Sequence, residues 1–225
     1  RGGRVFVGAG LATSLGYLAA FSAKNGVTLW ERYITGTGVG GVGSESHVVA
    51  AAASGSAVYA LVSDLTQTEG DCSVRAFDAK TGAPLWVRPI GWGCAFQAML
   101  WDVEELNSSA LLVKGARVFV ATYAYNSATN VSGGAVIALD KQSGAVQWQH
   151  DFVDCAGYDQ TRMSSLAVAG SRLFVAGIDR PTQSCSGHDP TPVVRALDVT
   201  SGQLRWEQFL GDPIYQARVG HAQNP

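Results

Sequence analysis

The chain reads as a succession of short apolar runs separated by turn residues. Four runs look alike: "RVFVGAG" (4–10), "AVYALVSD" (57–64), "RVFVATYAY" (117–125) and "RLFVAGID" (172–179). Across a tight Gly turn before three of them lie "HVVAAAA" (47–53), "SALLV" (109–113) and "SLAVA" (165–169). All are short, largely apolar and without a helical period, so each predicts a strand. They are apolar almost throughout, which predicts sheets covered on both faces.

A repeat organises these runs. "AFSAKNGVTLW" (20–30), "AFDAKTGAPLW" (76–86), "ALDKQSGAVQW" (138–148) and "ALDVTSGQLRW" (196–206) align without gaps. The shared pattern is Ala, one residue, Asp or Ser, three residues, Gly, three residues, Trp. Asp and Gly suit the two ends of a tight turn, Asp by bonding nearby backbone and Gly by accepting positive φ. The Trp on the returning strand suits a buried seam. Each motif is thus a hairpin, and each hairpin follows one or two further strands. Four antiparallel strands per unit, with no helix, predict an all-β fold, a β-propeller of four-stranded blades. With strands A to D counted from the inside out, four blades cover about 1–34, 35–90, 91–152 and 153–210, and 211–225 leads to a next blade.

The A-x-D-x-x-x-G-x-x-x-W hairpin resembles the repeat of the pyrroloquinoline-quinone (PQQ) type propellers, blade by blade along the whole chain. That family includes quinone-dependent alcohol and methanol dehydrogenases and non-enzymatic relatives such as the bacterial outer-membrane assembly lipoprotein. The resemblance implies that Trp and turn Gly dock adjacent blades, a role falling on Trp30, Trp86, Trp148 and Trp206 and on Gly26, Gly82, Gly144 and Gly202. Blade 1 departs from the pattern with Ser22 in place of Asp. The resemblance also implies a ring of seven or eight blades. "RGGR" at the start matches the A–B turns "KGAR" and "AGSR", so the chain is expected to begin after a missing strand A and to be a four-blade piece of a larger protein. A small four-bladed ring closed by a strand from elsewhere is the alternative.

Strand direction alternates, so the B–C and D–A loops share one face. They are long and varied, whereas the A–B and C–D turns are short, and binding residues favour such loops. All four cysteines fall on that face. Three pairings are open, and sequence proximity favours Cys72–Cys94 and Cys155–Cys185. No C-x-x-C spacing suggests zinc. Asn107 and Asn130 head glycosylation sequons there, and with an even cysteine count they favour an oxidising, extracellular or cell-surface setting. Gln97, Gln160, Arg162, Gln216 and Arg218, with Tyr158 and Tyr215, recur where strand A begins and are candidates for a polar rim at the channel mouth. They would equally serve by bonding loop backbone and neutralising Asp154, Asp159 and Asp212. Trp92 and Trp101 flank Cys94 outside the docking pattern.

Composition narrows the functional classes. Hydrophobic residues make up 47% and charged residues 15%, with 16 basic against 18 acidic side chains and a net charge of -2. Such a balance recruits neither nucleic acid nor an anionic membrane, and no apolar run reaches the length of a membrane helix. The chain opens at Arg1 with no leader, as expected of a processed, trimmed or partial chain. A PQQ enzyme of the resembled family implies a Trp floor, an adjacent-cysteine ring, a calcium site of Glu, Asn and Asp, and a catalytic Asp. The sequence has no Cys–Cys pair and no recognisable carboxylate–amide cluster. The expected function is a non-catalytic binding or scaffold module without cofactor, its loop face meeting a protein or glycan partner, other copies or the rest of a larger chain. The alternatives are part of a PQQ- and calcium-dependent alcohol-type dehydrogenase, or a structural subunit of an extracellular filament or complex.

"TGTGVGGVGS" (35–44) contains two overlapping G-x-G-x-x-G matches with Asp64 downstream. A dinucleotide cradle must open a helix. Here the next element is the predicted strand at 47–53, so the stretch reads as a D–A connection with few side chains.

Overall fold

A computed structural model describes residues 3–10, 15–35, 45–65, 70–90, 110–126, 131–153, 162–179 and 191–210. The described elements are all strands: β1 Arg4–Gly10, β2 Gly16–Ser22, β3 Thr28–Ile34, β4 Glu45–Ser54, β5 Ala57–Leu65, β6 Gly70–Asp78, β7 Pro84–Pro89, β8 Ala110–Lys114, β9 Arg117–Asn126, β10 Val131–Asp140, β11 Val146–Val153, β12 Arg162–Ala169, β13 Arg172–Asp179, β14 Thr191–Asp198 and β15 Leu204–Phe209.

All pairings are antiparallel, and strands joined by a turn are sheet neighbours. β8 to β11 form one four-stranded sheet and β12 to β15 another. The remaining strands form a single seven-stranded sheet, β3-β2-β1-β4-β5-β6-β7, where separate first and second blades were expected. The join is one bridge, Gly10 to His47. Two glycines allow it. A Cβ at Gly8 would stand 2.3 Å from Val48 Cγ1, and one at Gly10 would strike the His47 ring. Bare backbone lets β1 approach β4 more closely than side chains would permit.

Three apolar cores lie between successive groups of strands. Leu18, Ala20, Trp30 and Ile34 meet Val48, Val58, Ala60 and Val62. Tyr59, Leu61, Val74 and Ala76 meet Val118, Val120, Ile137 and Leu139. Phe119, Ala121, Val136 and Trp148 meet Leu173, Val175, Val193 and Leu197. Alternate residues of one strand serve different cores: Val58, Ala60 and Val62 point one way, Tyr59 and Leu61 the other. This two-residue period, with both faces covered, explains the unbroken apolar runs.

The repeated hairpins share one construction. The motif Ala pairs with the motif Trp each time: Ala20 with Trp30, Ala76 with Trp86, Ala138 with Trp148 and Ala196 with Trp206. A register shift follows immediately in all four. All four alanines are fully buried, so a methyl leaves room for the indole opposite. In the turns, Asp78 Oδ1 accepts from the N–H of Lys80 and Thr81 and from the Thr81 hydroxyl, and Asp140 and Asp198 repeat this with Ser143 and Ser201. These bonds favour the charged carboxylates. The Thr81 hydroxyl holds the Asp78 carboxyl below its usual value, the Ser143 N–H that of Asp140, and the Arg205 guanidinium that of Asp198.

Candidate functional site

The most developed chemistry among the described residues lies at the seams. Trp30, Trp86 and Trp148 each cross to the next hairpin and cover its turn glycine. A Cβ at Gly82 would be 2.8 Å from Trp30 Cδ2, one at Gly144 2.6 Å from Trp86 Cε3, and one at Gly202 2.5 Å from Trp148 Cε3. The glycines are needed twice over, since their φ values of 70°, 69° and 71° are also left-handed. Each indole N–H donates to the carbonyl three residues before that glycine: Trp30 to Ala79 at 3.1 Å, Trp86 to Lys141 at 3.2 Å and Trp148 to Val199 at 3.0 Å. Tyr59 adds its hydroxyl to the same Lys141 carbonyl at 3.2 Å, and burial raises its phenol above the usual value.

A second donor stands two residues after each Trp. Arg32 Nε donates to the Gly82 carbonyl at 2.9 Å and Arg88 Nε to the Gly144 carbonyl at 2.7 Å. At the third seam His150 bonds the Gly202 backbone. Burial, then the nearby Arg195 guanidinium, hold its imidazole below the ordinary histidine value. The sequence reading missed this position because Arg, Arg and His share a donor and not a residue type. Alignment on the tryptophans reveals it.

Toward the loop face, two arginines in equivalent places of β6 and β14 bridge outward. Arg75 donates to Asp64 Oδ2 at 3.0 Å, to the Ser73 hydroxyl at 3.1 Å and to the Thr35 carbonyl at 2.9 Å. Ser46 donates to Asp64 Oδ1 at 2.7 Å. Asp64 is only 2% exposed, so it is a buried member of a structural network, and Arg75 grips the first residue of the glycine-rich stretch. Arg195 pairs with Glu207 at 3.1 Å and lies 4.3 Å over the Phe152 ring.

Cys72 is disulfide-bonded. Cys94, Cys155, Cys185, Asn107, Asn130, Gln97, Gln160, Gln216, Arg218, Tyr158 and Tyr215 lie outside the described residues, as does the side chain of Arg162, whose backbone opens β12. Gly26 has φ 71° with nothing within 4 Å of a Cβ, and Trp206 is 39% exposed. Among the described residues no group of three or more His, Cys, Asp or Glu could hold a metal ion. The buried Asp64 carboxylate at the loop face has Ser46 and Arg75 on its oxygens. Among the same residues no helix is long and apolar enough to cross a membrane.

A family model described as outer membrane protein assembly factor BamB matches residues 16–223. The chain belongs to the PQQ-like repeat family. No curated protein matches it. Among solved structures, a quinohemoprotein alcohol dehydrogenase from Comamonas testosteroni is similar at 17% identity and a TM-score of 0.60, over 92% of this chain and 33% of that one. BamB from Moraxella catarrhalis is similar at 18% identity and a TM-score of 0.46, over 92% of this chain and 61% of that one. The PQQ-like chain thus spans about a third of the dehydrogenase and three fifths of BamB. At these identities the dehydrogenase likeness is one of fold.

Proposed function

We propose that this PQQ-like chain is a four-blade stretch of propeller, part of a seven- or eight-bladed ring, acting as a non-catalytic binding or scaffold module. Its long B–C and D–A loops would meet a protein or glycan partner in an oxidising, extracellular or cell-surface setting. One observation carries this reading: Arg32, Arg88, His150, Arg75 and Asp64 are all engaged in holding one hairpin or loop to the next. Side chains fixed in this way build a rigid platform, on which binding normally falls to the loops. The rim set of Gln97, Gln160, Arg162, Gln216 and Arg218, with Tyr158 and Tyr215, is the proposed contact surface. Cys72–Cys94 and Cys155–Cys185 are the proposed staples beneath it.

Reconstitution with PQQ and calcium, followed by dye-linked alcohol oxidation, tests the non-catalytic claim. The expected result is no turnover above the protein-free background. Turnover would overturn the reading in favour of a dehydrogenase.

A further inference from the structure

The net charge of -2 conceals an uneven distribution. Because strand direction alternates, the A–B and C–D turns share the face opposite the long loops. All four lysines of the chain, Lys24, Lys80, Lys114 and Lys141, lie at these turns, and Arg4, Arg117 and Arg172 open β1, β9 and β13 beside them. The acids there are Asp78, Asp140 and Asp198. Seven basic residues thus stand against three acidic ones, while the rest of the chain holds nine against fifteen.

The cations of this face are not used within the fold. Among the described residues none of the seven makes a salt bridge. The three aspartates are occupied by their own turns, whose N–H groups and hydroxyls they accept, and Asp198 also holds Arg205 at 2.9 Å. The densest group lies in the β8–β11 sheet, which has sheet on either side of it in the chain. Lys114 and Arg117 are register partners across the β8–β9 turn. The Lys141 N–H donates to the Ala116 carbonyl at 2.8 Å, which brings Lys141 beside them.

The face is also level. The A–B turns at 55–56, 115–116 and 170–171 are each two residues, and the C–D turns at 23–27, 79–83, 141–145 and 199–203 are each five. No described turn is long enough to rise above the others, and none contains an aromatic residue. The acids at the far ends of the strands do not cancel this field. β13 has eight residues, about 26 Å at 3.3 Å per residue, whereas charges are screened over about 8 Å at physiological salt.

We propose that the turn face adsorbs to a surface of anionic lipid headgroups. A level array of cations spread over four blades matches a plane of charge, and the negative potential of such a membrane attracts clustered Lys and Arg. The whole-chain balance misses this because the excess acid lies elsewhere. A nucleic acid fits less well. The turns offer no aromatic ring on which a base could stack, and a rod-like duplex would meet only one row of them.

Flotation of the 225-residue chain with phosphatidylcholine vesicles, with and without phosphatidylserine, tests this. Binding is expected only with phosphatidylserine, and added salt should weaken it. Each lysine neutralised should cost roughly fivefold in affinity, so Lys80→Gln, Lys114→Gln and Lys141→Gln together should cost roughly a hundredfold, with the far-UV spectrum unchanged. Thr200 stands two residues before Gly202, as Lys24 and Lys80 stand before Gly26 and Gly82, and it is exposed. Thr200→Lys should therefore strengthen binding by roughly fivefold, which keeps the test valid if the triple variant misfolds. A wild type that treats the two vesicles alike, a triple variant that binds as the wild type does, or a Thr200→Lys variant that binds no better would overturn the proposal. Tighter binding to duplex DNA than to the vesicles, at equal salt and equal phosphate, would overturn the choice of lipid.

Discussion

Replacing Gly144 by Ala separates the two demands made on a turn glycine. The first is conformational: at φ 69° an L-residue is strained by about 1–2 kcal/mol. The second is the close approach of Trp86, whose Cε3 would lie 2.6 Å from the new methyl and Cδ2 2.9 Å. The indole cannot yield freely, because its N–H is held by the Lys141 carbonyl at 3.2 Å and its ring packs on Tyr59. Overpacking of this kind costs about 1–3 kcal/mol, and losing the indole hydrogen bond would add about 1 kcal/mol. Gly115, in the β8–β9 turn of the same sheet, is the internal control. Its φ is 61° and a Cβ there would meet nothing within 4 Å. Gly115→Ala therefore carries the strain without the clash. In urea unfolding, Gly144→Ala should be less stable than Gly115→Ala by about 2–4 kcal/mol, with similar m-values. Equal destabilisation would refute the seam as an energetic contact and leave the glycines as turn formers alone.

Three other outcomes follow from the geometry. His150 is held below its ordinary value, so the unfolded chain takes up a proton first as pH falls through about 6.5; stability is retained above that range and lost below it, and thermal melts of His150→Gln should be flatter there. Asp64→Ala strands a buried guanidinium and should cost about 3–5 kcal/mol in chemical denaturation, whereas the Asp64→Ala, Arg75→Met double variant should lose less than the sum of the singles. Non-reducing peptide mapping should join Cys72 to the Cys94 peptide, and Cys72→Ser should lower stability by about 2–4 kcal/mol; a Cys72 peptide linked to Cys155 or Cys185 would reject that pairing.

The strands were legible because each is a short apolar run between turn residues. β1 and β13 have the ends read from sequence, and the other runs differ by a residue or a few. The family was legible in the four hairpins. The bulge after each motif Ala was not, because it depends on which residue faces the indole. Neither was the seven-stranded sheet, since it depends on Gly8 and Gly10 offering no side chain to Val48 and His47. The donors after each Trp escaped a search by residue type, because the seams use Arg twice and His once. The glycine-rich stretch was rejected as a dinucleotide cradle on context. The structure adds that Asp64 is buried under Ser46 and Arg75, and so is not presented as a ribose ligand. The other rim residues and three of the four cysteines fall outside the described residues, and of the rim set only the Arg162 backbone, at the start of β12, is placed.

The central claim is that Trp30, Trp86 and Trp148 each lock the next hairpin through the indole N–H. Hydrogen exchange of the indole resonances in a nitrogen-15 spectrum tests it most directly. Trp30, Trp86 and Trp148 are bonded to Ala79, Lys141 and Val199, and their N–H groups should exchange slowly. Trp206, 39% exposed, should exchange fast. Four indoles exchanging alike, at the rate of free tryptophan, would contradict the account.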